Sequence, residues 1–303
     1  MEQTKYHKPV LVEEVLTYLD PKPNKVYVDV TFGGGGHTRA ILEKEPGCTV
    51  IAFDWDKNAI EKNGIPLQEE FPGRLTLIWG SFSHIVMLLK KAKITGIDGI
   101  LADFGTSQFQ IAELPGFSVY RDTVLDMRMS PSHQKITAEE IINKATPKKL
   151  EEIFFDLGEE RYSKQIVKAI VEARKNKRIR TTGQLVDIIK QVVPRDTKKR
   201  IHPATKIFQA LRIYVNTELE NIHSLLMASL RLLNPGGNIV CISFHSLEDR
   251  IVKQFFKDNP CVIDRGFKIL TPKVVEASEE ELRINSSSRS ARLRAAQLCI
   301  KND

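Results

Sequence analysis

The sequence predicts an α/β protein: a Rossmann-like, mostly parallel sheet wound by helices on both faces, interrupted by an inserted all-helical domain. Three features point there. Short β-branched runs alternate with helical patterns over the first hundred residues, which is the signature of βαβ units. A cluster of glycines directly follows the first of these runs. The next clearly buried strand pattern begins only at Asn238, more than 130 residues after Asp103, and an ordinary crossover needs far fewer.

The elements follow in order. Val26–Thr31 is a short apolar run, and His37–Glu45 reads as a helix. Thr49–Asp54 is the second strand, followed by a helix over Lys57–Glu70. Leu75–Trp79 is the third strand, with a helix from Phe82 to Lys91. Asp98–Asp103 is the fourth. The middle of the chain carries helical patterns at Pro147–Asp156, Glu159–Lys175 and Thr182–Gln191, with little strand signal. Residues 1–112 and 202–303 are therefore expected to form one domain, with residues 113–201 inserted as a helical domain. Phe208, Leu211, Val215, Leu219, Ile222, Leu226, Leu230 and Leu233 recur at spacings of three and four, so one long helix is expected to lead back to the sheet. Asn234-Pro235-Gly236-Gly237 stops it, and Asn238–Phe244 is the next strand. Phe267–Thr271 and Ala295–Ile300 suit an antiparallel pair at the sheet edge. Glu276–Ser290, acidic and then serine-rich, reads as a mobile loop.

Composition narrows the class. Of 303 residues, 42% are hydrophobic and 27% charged, enough for a substantial core and unlike a disordered or collagenous chain. Cys48, Cys241, Cys261 and Cys299 are scattered without a CxxC pair. They read as small apolar residues in a reducing compartment, and neither a zinc site nor a disulfide framework is expected. No apolar run approaches the roughly 18 residues of a membrane span, and no leader pattern opens the chain, so a soluble cytoplasmic protein is expected. The net charge is +7. Between Lys144 and Arg212 there are 18 Lys and Arg against 8 Asp and Glu, so the positive charge is concentrated in the insert. Such a patch faces a polyanion or is simply a solvated helical surface.

Asp29-Val-Thr-Phe-Gly33-Gly34-Gly35-Gly36-His37 joins a strand to a helix. Glycines there let the backbone turn and approach a ligand closely, and the helix offers free N–H groups. The lysine of a triphosphate loop is missing, and Thr38 stands where a dinucleotide loop prefers its third glycine. S-adenosylmethionine is the remaining ligand class. Asp54 ends the second strand 18 residues after Gly36, where a carboxylate can accept both ribose hydroxyls. The plainer alternative is a helix-capping Asp. Phe82 can lie beside an adenine or simply pack in the core.

Longer stretches are more specific. HKPVLVEEVL from His7, DVTFGGGGHTRAIL from Asp29, GILADFGTSQFQI from Gly99 and LDMRM from Leu125 are four of them. GEERYSKQI from Gly158, HPATKIFQALRIYVNTEL from His202, SFHSLEDRIVK from Ser243 and SRSARLR from Ser288 are four more. Together these blocks strongly resemble the bacterial 16S ribosomal RNA cytosine-N4 methyltransferase family (RsmH/MraW) across nearly the whole chain. The resemblance implies a class I methyltransferase sheet with a helical insertion, S-adenosyl-L-methionine as donor, and N4 of a cytidine near the decoding centre of the 30S subunit as acceptor. Gly33, Gly34, Gly35, Gly36, His37, Asp54, Phe82, Asp103 and Gln110 would then line the cofactor. This chain departs from the family pattern in two places: DFGTSQFQI stands where something like DLGVSSPQL is usual, and PGFSVY where RGFSF is usual.

Asp103, Ser243 and His245 are the catalytic candidates. Asp103 ends the fourth strand at the carboxyl edge, where open α/β sheets bind ligands. It can contact the cofactor, hydrogen-bond the target amine, or merely cap a turn before Gly105. Ser243, Phe244 and His245 end the later strand on the same edge, where an aromatic can stack on an extruded base and His245 can bind phosphate or accept a proton. His245 can equally be structural. No metal site is expected from His7, His37 and His245. Arg174, Lys175, Lys177, Arg178 and Arg180 place five basic residues in seven, with Lys198, Lys199 and Arg200 nearby, as candidate RNA phosphate contacts. Arg289, Arg292 and Arg294 are a second candidate patch, and Asp126-Met127-Arg128 is expected to border the mouth of the site. Two other readings stay open: N-methylation of DNA or protein, and an assembly factor that keeps a vestigial cofactor fold.

Overall fold

The computed structural model describes residues 9–105, 114–194, 202–261 and 265–300. The chain divides into two compact units, one of Met1–Gly105 with Leu219–Asp303 and one of Thr106–Glu218. The helical unit thus runs past its expected end at Ile201 as far as Glu218.

The first unit is built on one sheet. Its strands are β1 (Val26–Asp29), β2 (Thr49–Asp54), β3 (Leu75–Trp79), β4 (Ile97–Asp103), β5 (Leu233–Ser243), β6 (Arg265–Ile269), β7 (Val275–Glu276) and β8 (Arg292–Ile300). They lie in the order β3-β2-β1-β4-β5-β8-β6, with β7 also on β8. β1 to β5 are mutually parallel, and β8 is antiparallel to both β5 and β6. This is the doubly wound α/β sheet expected, with a reversed strand near one edge. The expected pairing of Phe267–Thr271 with Ala295–Ile300 is present, Phe267 opposite Leu298, but β8 is an interior strand and β6 is the edge.

Period-two alternation explains why both faces are covered. Val28, Phe53, Ile100, Ile239, Cys241 and Ala296 point to one face and are buried with Ile85, Leu89, Leu226, Val252 and Phe256 of the helices there. Tyr27, Val50, Leu101, Val240, Ile242 and Leu293 point to the other. They meet Val15 and Leu19 of helix α1 (Val12–Leu19) and Ile41 and Leu42 of helix α2 (Gly36–Lys44). Each fully buried side chain of this size contributes roughly 1.5–3 kcal/mol.

Two expectations about this unit are corrected. Residues 276–290 carry regular structure: Glu279–Ile284 is a helix whose Ser278 hydroxyl accepts the Glu281 amide, and Ser286–Ser290 is a 3₁₀ turn with Ser288 buried. The Glu281 carboxylate also accepts the Leu11 amide at 2.8 Å, so an acidic residue of the supposed loop ties it to the N-terminal segment. Cys261 and Cys299 are disulfide-bonded, with Cα atoms 5.9 Å apart, whereas Cys48 and Cys241 are free and buried. Pairing of β6 with β8 sets Gly266 opposite Cys299, and a bridge from Pro260 to Phe267 brings Cys261 alongside.

The helical unit contains Ala138–Lys144, Pro147–Glu152, Ser163–Asn176, Thr182–Val192 and Thr205–Asn216. Thr137 with Glu140 and Thr181 with Gln184 form reciprocal capping boxes, the arrangement that S/T-x-x-E/Q spacing favours. Phe154, Ile166, Ile170, Leu185, Ile189, Phe208 and Leu211 are buried in it. The expected single long helix is instead two. Thr217 adopts φ 49°, which stops the helix at Asn216, and a second helix runs over Glu218–Leu232. Asn216 is wholly buried: its side-chain oxygen accepts the Met129 amide at 2.9 Å, and its nitrogen donates to the Met127 carbonyl at 2.8 Å. An apolar stripe does not report such a break, because the spacing continues across it. No described helix is long and apolar enough to cross a membrane.

Candidate active site

The carboxyl ends of the parallel strands place the site. β1, β2, β4 and β5 end at Asp29, Asp54, Asp103 and Ser243, so four polar residues reach one edge of the sheet. The glycine loop leaves β1 there. Gly33 and Gly35 have φ of 51° and 76°, the left-handed region that glycine enters without strain. A Cβ on Gly35 would lie 2.8 Å from the Phe32 ring, and one on Gly36 would lie 2.7 Å from Pro9, so close packing as well as turning requires glycine at these two positions. Gly34 is exposed at the tip.

Asp54 braces the loop. One carboxylate oxygen accepts the Gly33 amide and the other accepts the Asp56 amide, both at 2.8 Å. Each oxygen keeps a second lone pair, the requirement for receiving a diol. Burial pushes this carboxyl up to about 7, against the pull of the two backbone N–H groups. Asn63 donates to the Gly33 carbonyl at 2.9 Å and holds the loop from outside. Phe82 opens a short 3₁₀ turn after β3 and sits 6.3 Å, centroid to centroid, from Phe104.

Around Asp103 the site is strongly acidic. Asp29 is buried, its oxygens accepting the Thr31 amide at 3.0 Å and the Thr38 hydroxyl at 2.7 Å, and burial raises its pKa. Glu248, also buried, accepts the Phe244 amide at 2.7 Å and the His245 amide at 3.3 Å. Burial pushes Asp103 up to about 7; His37 opposes the rise, while Asp29 and Glu248 add to it. Asp103 Oδ2 lies 3.7 Å from His37 Nδ1, and Asp103 Oδ1 is buried without a hydrogen-bond partner among the described residues. An orphaned carboxylate oxygen in a negative pocket suits a cationic donor or an amine N–H. The donor set therefore fits S-adenosylmethionine.

Ser243 is buried at the last β5–β8 pair, opposite Arg292. His245 caps the Ser246–Asp258 helix, with Nε2 3.2 Å from Glu248 Oε1. Thus Gly33–His37, Asp54, Phe82, Asp103, Ser243 and His245 all belong to the first unit, at or following the strand ends. Gln110 lies outside the described residues. Sequence reasoning assigned no task to Asp29, Asn63 or Glu248. Glu248 could have been found from its capping spacing three residues after His245.

The basic residues belong to the helical unit, and one of them is corrected. Arg174 donates from Nη1 to the Ile142 carbonyl at 2.7 Å and from Nη2 to the Ala145 carbonyl at 2.9 Å, so its guanidinium caps the helix Ala138–Lys144. Lys175 pairs with Glu172 and Arg178 with Glu139 on the surface, while Lys177 and Arg180 are exposed. Lys198, Lys199 and Arg200 lie outside the described residues. Asp126 and Arg128, expected at a site mouth, satisfy each other through a bidentate pair at 2.7 and 2.9 Å. In the tail, Arg294 is likewise held by Asp249.

Comparison with known proteins agrees with the motif blocks. A family model described as the MraW methylase family matches residues 4–299. A protein of Endomicrobium trichonymphae named ribosomal RNA small subunit methyltransferase H is 48% identical over 294 residues, covering 96% of this chain and 98% of its own. The protein of the same name from Ehrlichia chaffeensis is 44% identical over 296 residues, covering 95% and 98%. Among solved structures, SMU.1697c of Streptococcus mutans in complex with SAH is 12% identical at a TM-score of 0.47, covering 95% of this chain and 97% of that one.

Proposed function

The chain belongs to the MraW methylase family and is an S-adenosylmethionine-dependent methyltransferase; from that premise we propose that it methylates N4 of a specific cytidine in small-subunit (16S) ribosomal RNA near the decoding centre. The substrate is the assembled or nearly assembled 30S subunit, and the work is done in the cytoplasm. The observation that carries the reading is Asp103: a partly buried carboxylate whose Oδ1 has no hydrogen-bond partner among the described residues, at the strand end beside the glycine loop.

The cofactor, when bound, supplies a methyl group on a sulfonium, open to in-line displacement. The chain supplies everything else. Gly33–Gly36 and Asp54 hold the nucleoside end, Phe82 offers an apolar edge, and Gln110 belongs to the same binding set. Asp103 Oδ1 accepts a hydrogen bond from one N4–H, which turns the conjugated amine so that its lone pair faces the methyl and gives the departing proton an acceptor. Alignment of this kind can lower a barrier by roughly 7–11 kcal/mol. Ser243 and His245, beside Phe244, bound the acceptor side, where an extruded base stacks. Lys175, Lys177, Arg178 and Arg180, with Lys198, Lys199 and Arg200, contact phosphate and position the RNA without reading it.

Incubating the protein with labelled S-adenosylmethionine and unmodified small subunits, then digesting the RNA and locating the label by mass, tests the reading. Label on N4 of one cytidine is expected. No label, with the cofactor bound, would favour an assembly factor; label on another atom or on protein would replace the substrate assignment.

A further inference from the structure

We infer that His37 is a positioning residue for this reaction: anchored at Nε2 by the Val10 carbonyl, it holds a proton at Nδ1 against Asp103 Oδ2 and so keeps Asp103 Oδ1 available to take the proton released by the methylated amine. The inference rests on the function proposed above and assigns the task of a side chain which the glycine motif alone leaves open.

The geometry fixes one of the ring protons. His37 Nε2 lies 2.8 Å from the Val10 carbonyl oxygen. A carbonyl can only accept, so Nε2 carries a hydrogen. The ring is buried, 7% exposed, and this bond fixes its orientation. Its other nitrogen faces Asp103 Oδ2 at 3.7 Å. Without a further proton, a lone pair and a carboxylate oxygen would face each other in a buried site. A proton on Nδ1 turns that repulsion into attraction.

The surrounding groups explain why that matters. Asp29 on β1 and Glu248 on the Ser246–Asp258 helix both repel a charge on Asp103, and burial opposes it further. Thr31 contributes only its hydroxyl, which accepts the Asp103 amide at 2.7 Å. Among the described residues, His37, on α2, is the neighbour that favours the ionised carboxyl. Asp29 accepts the Thr31 amide and the Thr38 hydroxyl, and Glu248 accepts the Phe244 amide, while Asp103 Oδ1 has no hydrogen-bond partner among the described residues. In the transfer, the N4–carbon bond forms as the donor's carbon–sulfur bond breaks. The electron pair of one N4–H bond returns to nitrogen, and that proton passes to Asp103 Oδ1 and on to solvent. The positive charge lost by the donor leaves as this proton.

His37→Gln tests the inference, because a glutamine amide can still donate to the Val10 carbonyl while placing nothing ionisable beside Asp103. Two measurements are made. In the cofactor-free protein, carbon-detected titration should find the Asp103 carboxyl near 7 in the wild type and higher in the variant. In single-turnover methylation of small subunits at saturating cofactor, the variant should be slower by ~10-fold or more at pH 7 and recover toward the wild-type rate by pH 9. An unmoved Asp103 titration, or a rate lowered equally at every pH, would overturn the inference. If the His37→Gln protein does not fold, Asp103→Asn supplies the converse: the Nδ1 signal of His37 should change and the Nε2 signal should not, and an unchanged Nδ1 refutes the pairing. If the wild type methylates no ribosomal RNA, the proposed function fails, while the carboxyl titration still decides whether His37 governs Asp103.

Discussion

Replacing Arg174 by alanine should destabilise the helical unit and leave RNA binding almost untouched. Its guanidinium donates two hydrogen bonds, to the Ile142 and Ala145 carbonyls at 2.7 and 2.9 Å, at the end of the helix Ala138–Lys144. A hydrogen bond from a charged donor is worth about 1.5–3 kcal/mol, and a cation at a helix C-terminus adds about 0.3–1 kcal/mol. Two bonds from one group are not additive, and water can reach carbonyls at a half-buried site. A loss of about 2–3 kcal/mol is therefore expected, which lowers the melting temperature by on the order of 10 °C for a unit of this size. Circular dichroism melting measures the first effect, and filter binding to RNA across a salt series measures the second. Lys177→Ala with Arg180→Ala should do the reverse: an unchanged melt, and a salt slope reduced by about 0.7 per lost contact. If Arg174→Ala melts within 2 °C of the wild type (roughly the shift from 0.5 kcal/mol) and flattens the salt slope, the assignment of Arg174 as a helix cap is wrong.

Asp103→Asn should raise the melting temperature at pH 8, leave it nearly unchanged near pH 4, and abolish methylation. The sign follows from linkage: the folded carboxyl is raised to about 7, so its favourable contribution is complete below 3.8 and is lost as pH rises through about 7. Calorimetric scans at both pH values check it. Asp54→Ala should weaken S-adenosylmethionine binding by ~100-fold, the worth of two hydrogen bonds to a charged acceptor, measured by titration calorimetry on protein whose fold is confirmed by circular dichroism. Thr217→Gly should stabilise the helical unit by about 0.5 kcal/mol in denaturant unfolding, since glycine holds φ 49° without a Cβ penalty, offset by loss of the hydroxyl bond to the Asn216 carbonyl.

Features with a local physical cause were legible in the amino-acid order. Strand and helix periods are set by residues a few positions apart, so Thr49–Asp54 and Leu75–Trp79 match the observed strands end for end, and the glycine turn is found where four glycines follow a β-run. Asp54 and Asp103 were legible for the same reason, as acids at strand ends. Contacts between distant residues were not legible. Arg174 meets a helix end some thirty residues back, and Cys261 reaches Cys299 only through strand pairing. Asn216 stops a helix whose apolar spacing does not pause, by bonding to the backbone at Met127 and Met129. The approach of His37 to Asp103 depends on β1 and β4 lying side by side. Periodicity reports which face of an element is apolar; which charged groups meet, and what proton they must share, is decided by packing, because Coulomb and hydrogen-bond energies depend on separations that no local pattern encodes.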